Sequence, residues 1–305
     1  MFSEAITWTQ RRLQIKFRAK SILRAVYFRL LLVLAIYQVP MLVLSDLISR
    51  IDFGGPTVEI LGIPVSLVGE AARFIMLFLE APLLLGASAY MLRLDEQRPL
   101  RVGSVFSWFS DGRRLTQAAN YALFSVALQL VLYPLDRLPQ LWLNSRAEEY
   151  AGVLQQMMET TGSGGLPDAE LLRQGLAISG QSMLCTGLSV CFMLVMMLFA
   201  PLAYLVAMDP EGQTGFFAKL KENFRCIRGH YFEFLVFTLS FIGWYLLASL
   251  LSQFGRILIY PYIYMAQAVF FNRLIRAKRG LPDPGAAPSE GESDPEQNQE
   301  KERER

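Results

Sequence analysis

One carboxylate stands in the middle of an otherwise uncharged run. Glu80 lies two residues before Pro82 in the stretch IMLFLEAPLLLGASAYML, residues 75–92. A carboxyl group in that setting suits proton or ion passage, because it takes up or releases a cation as its surroundings change. Placing a charged side chain at the centre of a bilayer costs about 3 kcal/mol on insertion scales, so such a residue marks a functional hypothesis by default. The structural alternative is a carboxyl that stays protonated, or one that pairs with Gln129 or another buried polar group. Three prolines share this apolar context: Pro82, Pro201 and Pro261. Proline frees a backbone carbonyl and permits a kink. Three proline-bearing helices either line a cavity or are kinked for packing.

The other candidates carry less chemistry. Glu70 and Arg73 are three residues apart, so they share a helix face and can pair. The single histidine, His230, follows Gly229, and one histidine makes no metal site by itself. Cys185, Cys191 and Cys226 form no CxxC pair and read as small packing residues. Ser240, Gly243 and Trp244 lie in the run TLSFIGW, where small residues one turn apart are expected to let helices approach closely, with Trp244 filling a neighbouring notch. Tyr262, beside Tyr260 and Tyr264, suits an aromatic belt at a membrane boundary. There is no phosphate loop, dinucleotide fingerprint, zinc cluster or Ser-His-Asp set. The expectation is therefore no catalytic residue, no cofactor, no metal and no nucleic-acid partner.

These residues are positioned by six apolar stretches at about 27–48, 68–92, 115–133, 183–207, 231–251 and 256–275. Each approaches the roughly 20 residues a helix needs to cross a hydrocarbon core of about 30 Å. Hydrophobic residues make up 53% and charged residues 18% of the chain, too little charge to cover a soluble surface. The fold class predicted is all-α: a polytopic six-helix membrane bundle, residues 1–279, with a small extracytoplasmic helical cap in the loop 134–182.

Charge sets the orientation. Arg11, Arg12, Lys16, Arg18, Lys20 and Arg24 precede the first stretch. Basic residues return after the second (Arg93, Arg98, Arg101, Arg113, Arg114), the fourth (Lys219, Lys221, Arg225, Arg228) and the sixth (Arg273, Arg276, Lys278, Arg279). Every second connection is basic, which places both termini in the cytoplasm.

Outside the apolar stretches, Ser145 and Glu148 read as a capping box opening a helix. Its apolar face would hold Tyr150, Val153, Leu154, Met157 and Met158. Phe217, Leu220, Phe224, Ile227 and Tyr231 share one face of a second amphipathic helix, flanked by lysines and arginines, as in helices that lie on anionic lipid or simply anchor a loop inside. Residues 280–305 are rich in Pro, Gly, Ser, Glu and Gln, a composition too polar to fold alone. Ala81-Pro82-Leu83 echoes Ala200-Pro201-Leu202, a faint parallel repeat.

Several runs together resemble the integral membrane domain family of unknown function 975 (DUF975). They are Pro201-Leu202-Ala203-Tyr204, Met208-Asp209-Pro210, Arg228-Gly229-His230-Tyr231-Phe232, Leu239-Ser240-Phe241-Ile242-Gly243-Trp244 and Pro261-Tyr262-Ile263. The resemblance is specific from Pro201 to Leu274 and is one of layout before that. It implies a six-span protein of the bacterial inner membrane and carries no biochemical activity. The function expected is a non-enzymatic membrane protein with a role in envelope organisation or as partner to another membrane protein. The alternative is a component of a small-solute or ion transporter or channel using Glu80 and the proline-kinked helices. The lipid bilayer is the expected surrounding, and the oligomeric state is open.

Overall fold

A computed structural model describes residues 8–50, 56–60, 63–98, 100–162 and 169–283. The chain is built almost entirely of helices. Helix α1 spans Trp8–Arg50 and is kinked at Val26 (φ −132°, ψ 15°), which divides a basic first half from an apolar second half. Two short antiparallel strands follow, β1 (Thr57–Ile60) and β2 (Ile63–Ser66), with Thr57 opposite Ser66 and Ile60 opposite Ile63. Helix α2 (Leu67–Asp95) begins where the Ser66 hydroxyl accepts the Gly69 N–H at 3.2 Å, one of the donors a helix start leaves unpaired. A 3-10 turn (Val102–Phe106) and α3 (Ser107–Ser110) lead into α4 (Gly112–Val131), capped by Asp111.

Then come α5 (Tyr133–Ser145), α6 (Ala147–Gly162), α7 (Ala169–Met197), α8 (Ala200–Met208) and α9 (Phe216–Ile227). The chain continues through α10 (Tyr231–Leu239), α11 (Ile242–Leu250) and α12 (Ser252–Arg279). Gly280 stops α12 in the left-handed region (φ +70°), with Gly280 N–H bonded to Ala277 O and Leu281 N–H to Arg276 O. This is the paired ending that satisfies the last free carbonyls of a helix.

Helix α2 occupies the centre and touches α1, α4, α8, α12 and the 3-10 turn. Its second half is buried on nearly all sides, from Ala81 to Tyr90. An aromatic cluster packs beside it. Phe234 meets Phe271 at 4.6 Å between ring centroids, Phe237 stacks on Phe270 at 5.0 Å, and Tyr204 meets Phe271 at 5.2 Å. Tilted and offset rings of this kind are favoured by the aromatic quadrupole. Helices α5 and α6 instead pack on α7.

The helices α1, α2 and α7–α8 are each long and apolar enough to cross a membrane. Two bent pairs, α4–α5 (67°) and α10–α11 (45°), qualify if each is taken as one crossing, so three to five crossings follow from length and composition. Helix α12, the sixth stretch in the sequence reading, interrupts its apolar residues with tyrosines, Pro261, Gln267, Asn272 and Arg273.

Several local expectations change. Residues 133–145, at the start of the expected outer loop, form a helix with Pro134 in its first turn. Helix α7 begins at Ala169, just after Pro167, where a helix feeding the fourth apolar stretch is expected, and runs into that stretch without a break. The side chains of Ser145 and Glu148, the expected capping box, lie outside the described residues, as do positions 284–305 of the tail. On α6, Val153 is buried and Met157 packs over Gly175, but Tyr150, Leu154 and Met158 are exposed. Helix α9 leaves the phenylalanines of its apolar face accessible but turns one flanking lysine inward. Lys219, Asn223 and Cys226 face inward, while Phe217 and Phe224 are exposed.

The close glycine contact is also elsewhere. Gly243 is exposed and a Cβ there would meet nothing within 4 Å. At Gly86 of α2, a Cβ would sit 2.3 Å from the Val105 carbonyl oxygen. Backbone cannot yield as a flexible side chain does, and overpacking of this kind costs about 1–3 kcal/mol. Gly86→Ala should therefore lower the thermal unfolding midpoint of the detergent-solubilised protein, with Gly243→Leu close to the parent. Equal midpoints for the two variants would contradict this packing.

Candidate functional site

Glu80 is half-buried on α2 and faces α1. The Tyr37 hydroxyl donates to its Oε1 at 2.9 Å. Tyr121 of α4 and Tyr264 of α12 are its electrostatic neighbours, and Gln38 bonds the Tyr264 side chain. Beside this group lies a cavity of about 210 Å³ whose polar lining comes from Ser88, Tyr121, Ser125, Tyr204, Tyr264 and Gln267. Glu80 itself is not among its walls. The arrangement joins α1 to α2 through one hydrogen bond and sets neutral hydroxyl and amide groups around a small opening. Gln129, the partner anticipated for Glu80, instead accepts from Arg73 at 2.8 Å.

Two apolar runs break, and each break is closed by a polar side chain. Between α7 and α8, the N–H of Leu198 turns to Val195 O and that of Leu202 to Phe199 O. The carbonyls of Leu194 and Leu198 are thereby freed. The Tyr231 hydroxyl donates to Leu194 O, and Asn223 Nδ2 donates to Leu198 O, both at 2.9 Å. Pro201, buried in the first turn of α8, lacks an N–H and stands just past this break. Between α10 and α11, the Trp244 N–H bonds Phe241 O, leaving Ser240 O free. Lys16 Nζ donates to it at 3.2 Å and lies 4.5 Å from the Phe241 ring centroid. The run Leu239–Trp244 thus marks a bend held by α1.

Charge networks bound both ends. At the basic end, Asp95 is fully buried and receives Arg18 on one oxygen and Asn272 Nδ2 on the other at 2.7 Å. Arg276 meets Glu96 at 3.1 Å, and Arg279 grips Glu222 with two bonds at 2.7 and 3.0 Å. Lys219, 1% exposed, donates to Gln117 at 3.0 Å and pairs with Asp209 at 3.2 Å. Burial alone would raise the Asp209 pKa, but the N–H groups of Thr214 and Gln213 together with Lys219 outweigh it and hold the carboxyl below its usual value. Burial lowers the Lys219 pKa, and Asp209 offsets only part of that. At the opposite end, Arg137 meets Glu70 at 2.8 Å and Arg73 meets Asp136 at 3.1 Å, with Arg73–Glu70 at 3.7 Å.

The remaining candidates fall as follows. Pro82 and Pro261 are buried inside unbroken α2 and α12. The likeness between residues 81–83 and 200–202 therefore does not extend to conformation, since only the second begins a new helix. Ser240 Oγ turns back to Phe237 O. Trp244 is 44% exposed and meets Tyr262 edge-on at 5.7 Å, so it fills no notch. Tyr262 bridges Trp244 and Phe241, with 5.5 Å to the latter ring. Sequence reasoning overlooked Tyr37, Asp95 and Asn223, and took Lys16 and Lys219 only as charges that set the orientation. Asn223 had a signal: it falls four residues before Ile227, on the face that burial selects. Among the described residues, no group of three or more His, Cys, Asp or Glu is arranged to hold a metal ion, and the three cysteines are free.

Comparison with known proteins places this architecture. No match was found among curated proteins or among solved structures. A family profile described as a protein of unknown function (DUF975) matches residues 9–278, from the first turn of α1 to the last of α12. With nearly the whole helical body covered, the chain belongs to the DUF975 family.

Proposed function

We propose that this protein is a non-enzymatic multi-pass protein of the bacterial inner membrane, acting in envelope organisation or as a partner to another membrane protein. The observation that carries this reading is the Tyr37–Glu80 hydrogen bond. The one carboxylate placed deep in the apolar run of α2 is spent on joining two helices. A polar pair between helices favours a fixed bundle over a moving ion site. The buried Asp95–Arg18–Asn272 group is likewise turned to holding α1, α2 and α12 together.

The reading includes six crossings, with α12 as the last and both termini cytoplasmic. Support comes from the alternating basic connections and from the two described ends of the chain. Trp8 and Ala277 line one cleft, as an even number of crossings requires. A second reading, a small-solute or ion transporter component, draws on the tyrosine-lined cavity beside Glu80.

Glu80→Gln separates the two. The amide oxygen still accepts from Tyr37, so the structural reading expects an unchanged unfolding midpoint and an unchanged proton leak in liposomes. Glu80→Leu strands the Tyr37 hydroxyl, and an unpaired buried donor costs about 1–3 kcal/mol, so its midpoint should fall. A leak in the parent that is lost or made pH-independent by Glu80→Gln would favour transport instead.

The topology is tested by thiol labelling. A cysteine at position 160, placed in a background free of native cysteines, should react with a membrane-impermeant reagent from the outside of intact cells. Labelling only after access to the cytoplasmic face would overturn the orientation.

A further inference from the structure

The basic end of the bundle carries a cleft of about 510 Å³. Arg11 enters it from α1, and Arg273, Arg276 and Lys278 enter it from α12. Its floor is apolar, made by Ile15, Phe270 and Leu274, with Trp8 at the side. Two acids face it, Glu233 and Asp283. Glu233 is engaged by His230 Nδ1 at 2.7 Å, while Asp283 stands 3.4 Å from Arg273 Nε. That Nε is buried and has no hydrogen-bond acceptor. Arg276 is already committed to Glu96 and to Pro282 O. Arg273 also borders a second cleft of about 430 Å³, where Arg18, Lys20 and Arg24 gather.

We propose that the Arg273 cleft holds the headgroup of an anionic phospholipid. The phosphate would take the place of Asp283 at Arg273, within reach of Arg11 and Lys278, while the glycerol and first acyl carbons rest on Phe270 and Leu274. Cations above an apolar floor at the ends of membrane helices match an amphipathic anion, and basic pockets between helices at the cytoplasmic face bind such headgroups. A soluble phosphate would use the cations but leave the floor uncovered. The proposal rests on the membrane reading above.

The test uses the full-length protein in an uncharged detergent. Its unfolding midpoint is followed against added phosphatidylglycerol, phosphatidylcholine or inorganic phosphate, since a ligand that binds only the folded state raises that midpoint. Phosphatidylglycerol should raise it, and the other two should not. Arg273→Gln should weaken the apparent affinity about fivefold, the scale expected for one cation at an anionic surface. Arg93→Gln, which removes an exposed charge outside the cleft, should leave it unchanged. Asp283→Asn should tighten it, because a competing carboxylate is gone.

Equal effects of the two lipids, full reproduction by inorganic phosphate, equal losses at Arg93 and Arg273, or no gain from Asp283→Asn would each overturn the site. Recovery of the parent in the soluble fraction of lysed cells without detergent would instead strike the membrane reading itself.

Discussion

A backbone carbonyl that loses its helical partner inside an apolar region must find another donor, and much of this fold follows from that requirement. In water the freed group would be solvated. In hydrocarbon each unsatisfied group costs several kcal/mol, which is why only helices and closed barrels cross membranes unaided. The breaks at Leu198–Phe199 and Ser240–Phe241 are therefore tolerable only because three side chains reach them: Asn223, Tyr231 and Lys16. Those contacts fix α9 and α10 against α7–α8, and the first half of α1 against the α10–α11 bend. Van der Waals packing then fills the remaining space, with the phenylalanines of α10 and α12 interleaved around Tyr204.

The two ends are organised differently from the middle. Apart from Glu80 and Lys16, the interior relies on neutral groups, chiefly tyrosine hydroxyls with Gln38 and Gln267. The ends rely on ion pairs. Glu70, Arg73, Asp136 and Arg137 tie α2 to α5 at one end, and Asp95, Arg18 and Asn272 tie three helices at the other. The partly exposed pairs of the first group contribute little individually to stability, whereas loss of a partner at the buried Asp95 would leave a charge uncompensated. The value of both groups is in register, since a helix that slid along its axis would leave Asp95 or Asn223 buried without its donor or acceptor.

Sequence patterns disclosed the apolar stretches, their basic connections and the all-α class, because hydropathy and charge are summed over many residues and survive local errors. The breaks were not legible. Leu239–Trp244 contains no proline, and its small residues pointed to close helix contact, whereas Gly243 has nothing packed against it. Gly86 carried no stronger local mark than Gly243, and only the passage of the 3-10 turn over α2 distinguishes it. On α9, periodicity grouped the phenylalanines on one face but did not show that Asn223 and Lys219 turn inward, Asn223 to the freed Leu198 O and Lys219 to Asp209. Glu80 was identified as the residue to examine, while its partner came from α1, a distance along the chain that spacing does not convey.

The side chains that close the two breaks have a bearing on the order of synthesis. A chain emerges from its N-terminal end. Lys16 is thus made more than two hundred residues before Ser240 and already exists when the α10–α11 bend forms. The reverse holds at the earlier break. Leu194 and Leu198 are complete before Asn223 and Tyr231 have been added, so for that interval the α7–α8 junction has no permanent donor. During assembly that junction must remain straight, be solvated, or borrow a partner, and its bend becomes stable only when α9 and the start of α10 arrive.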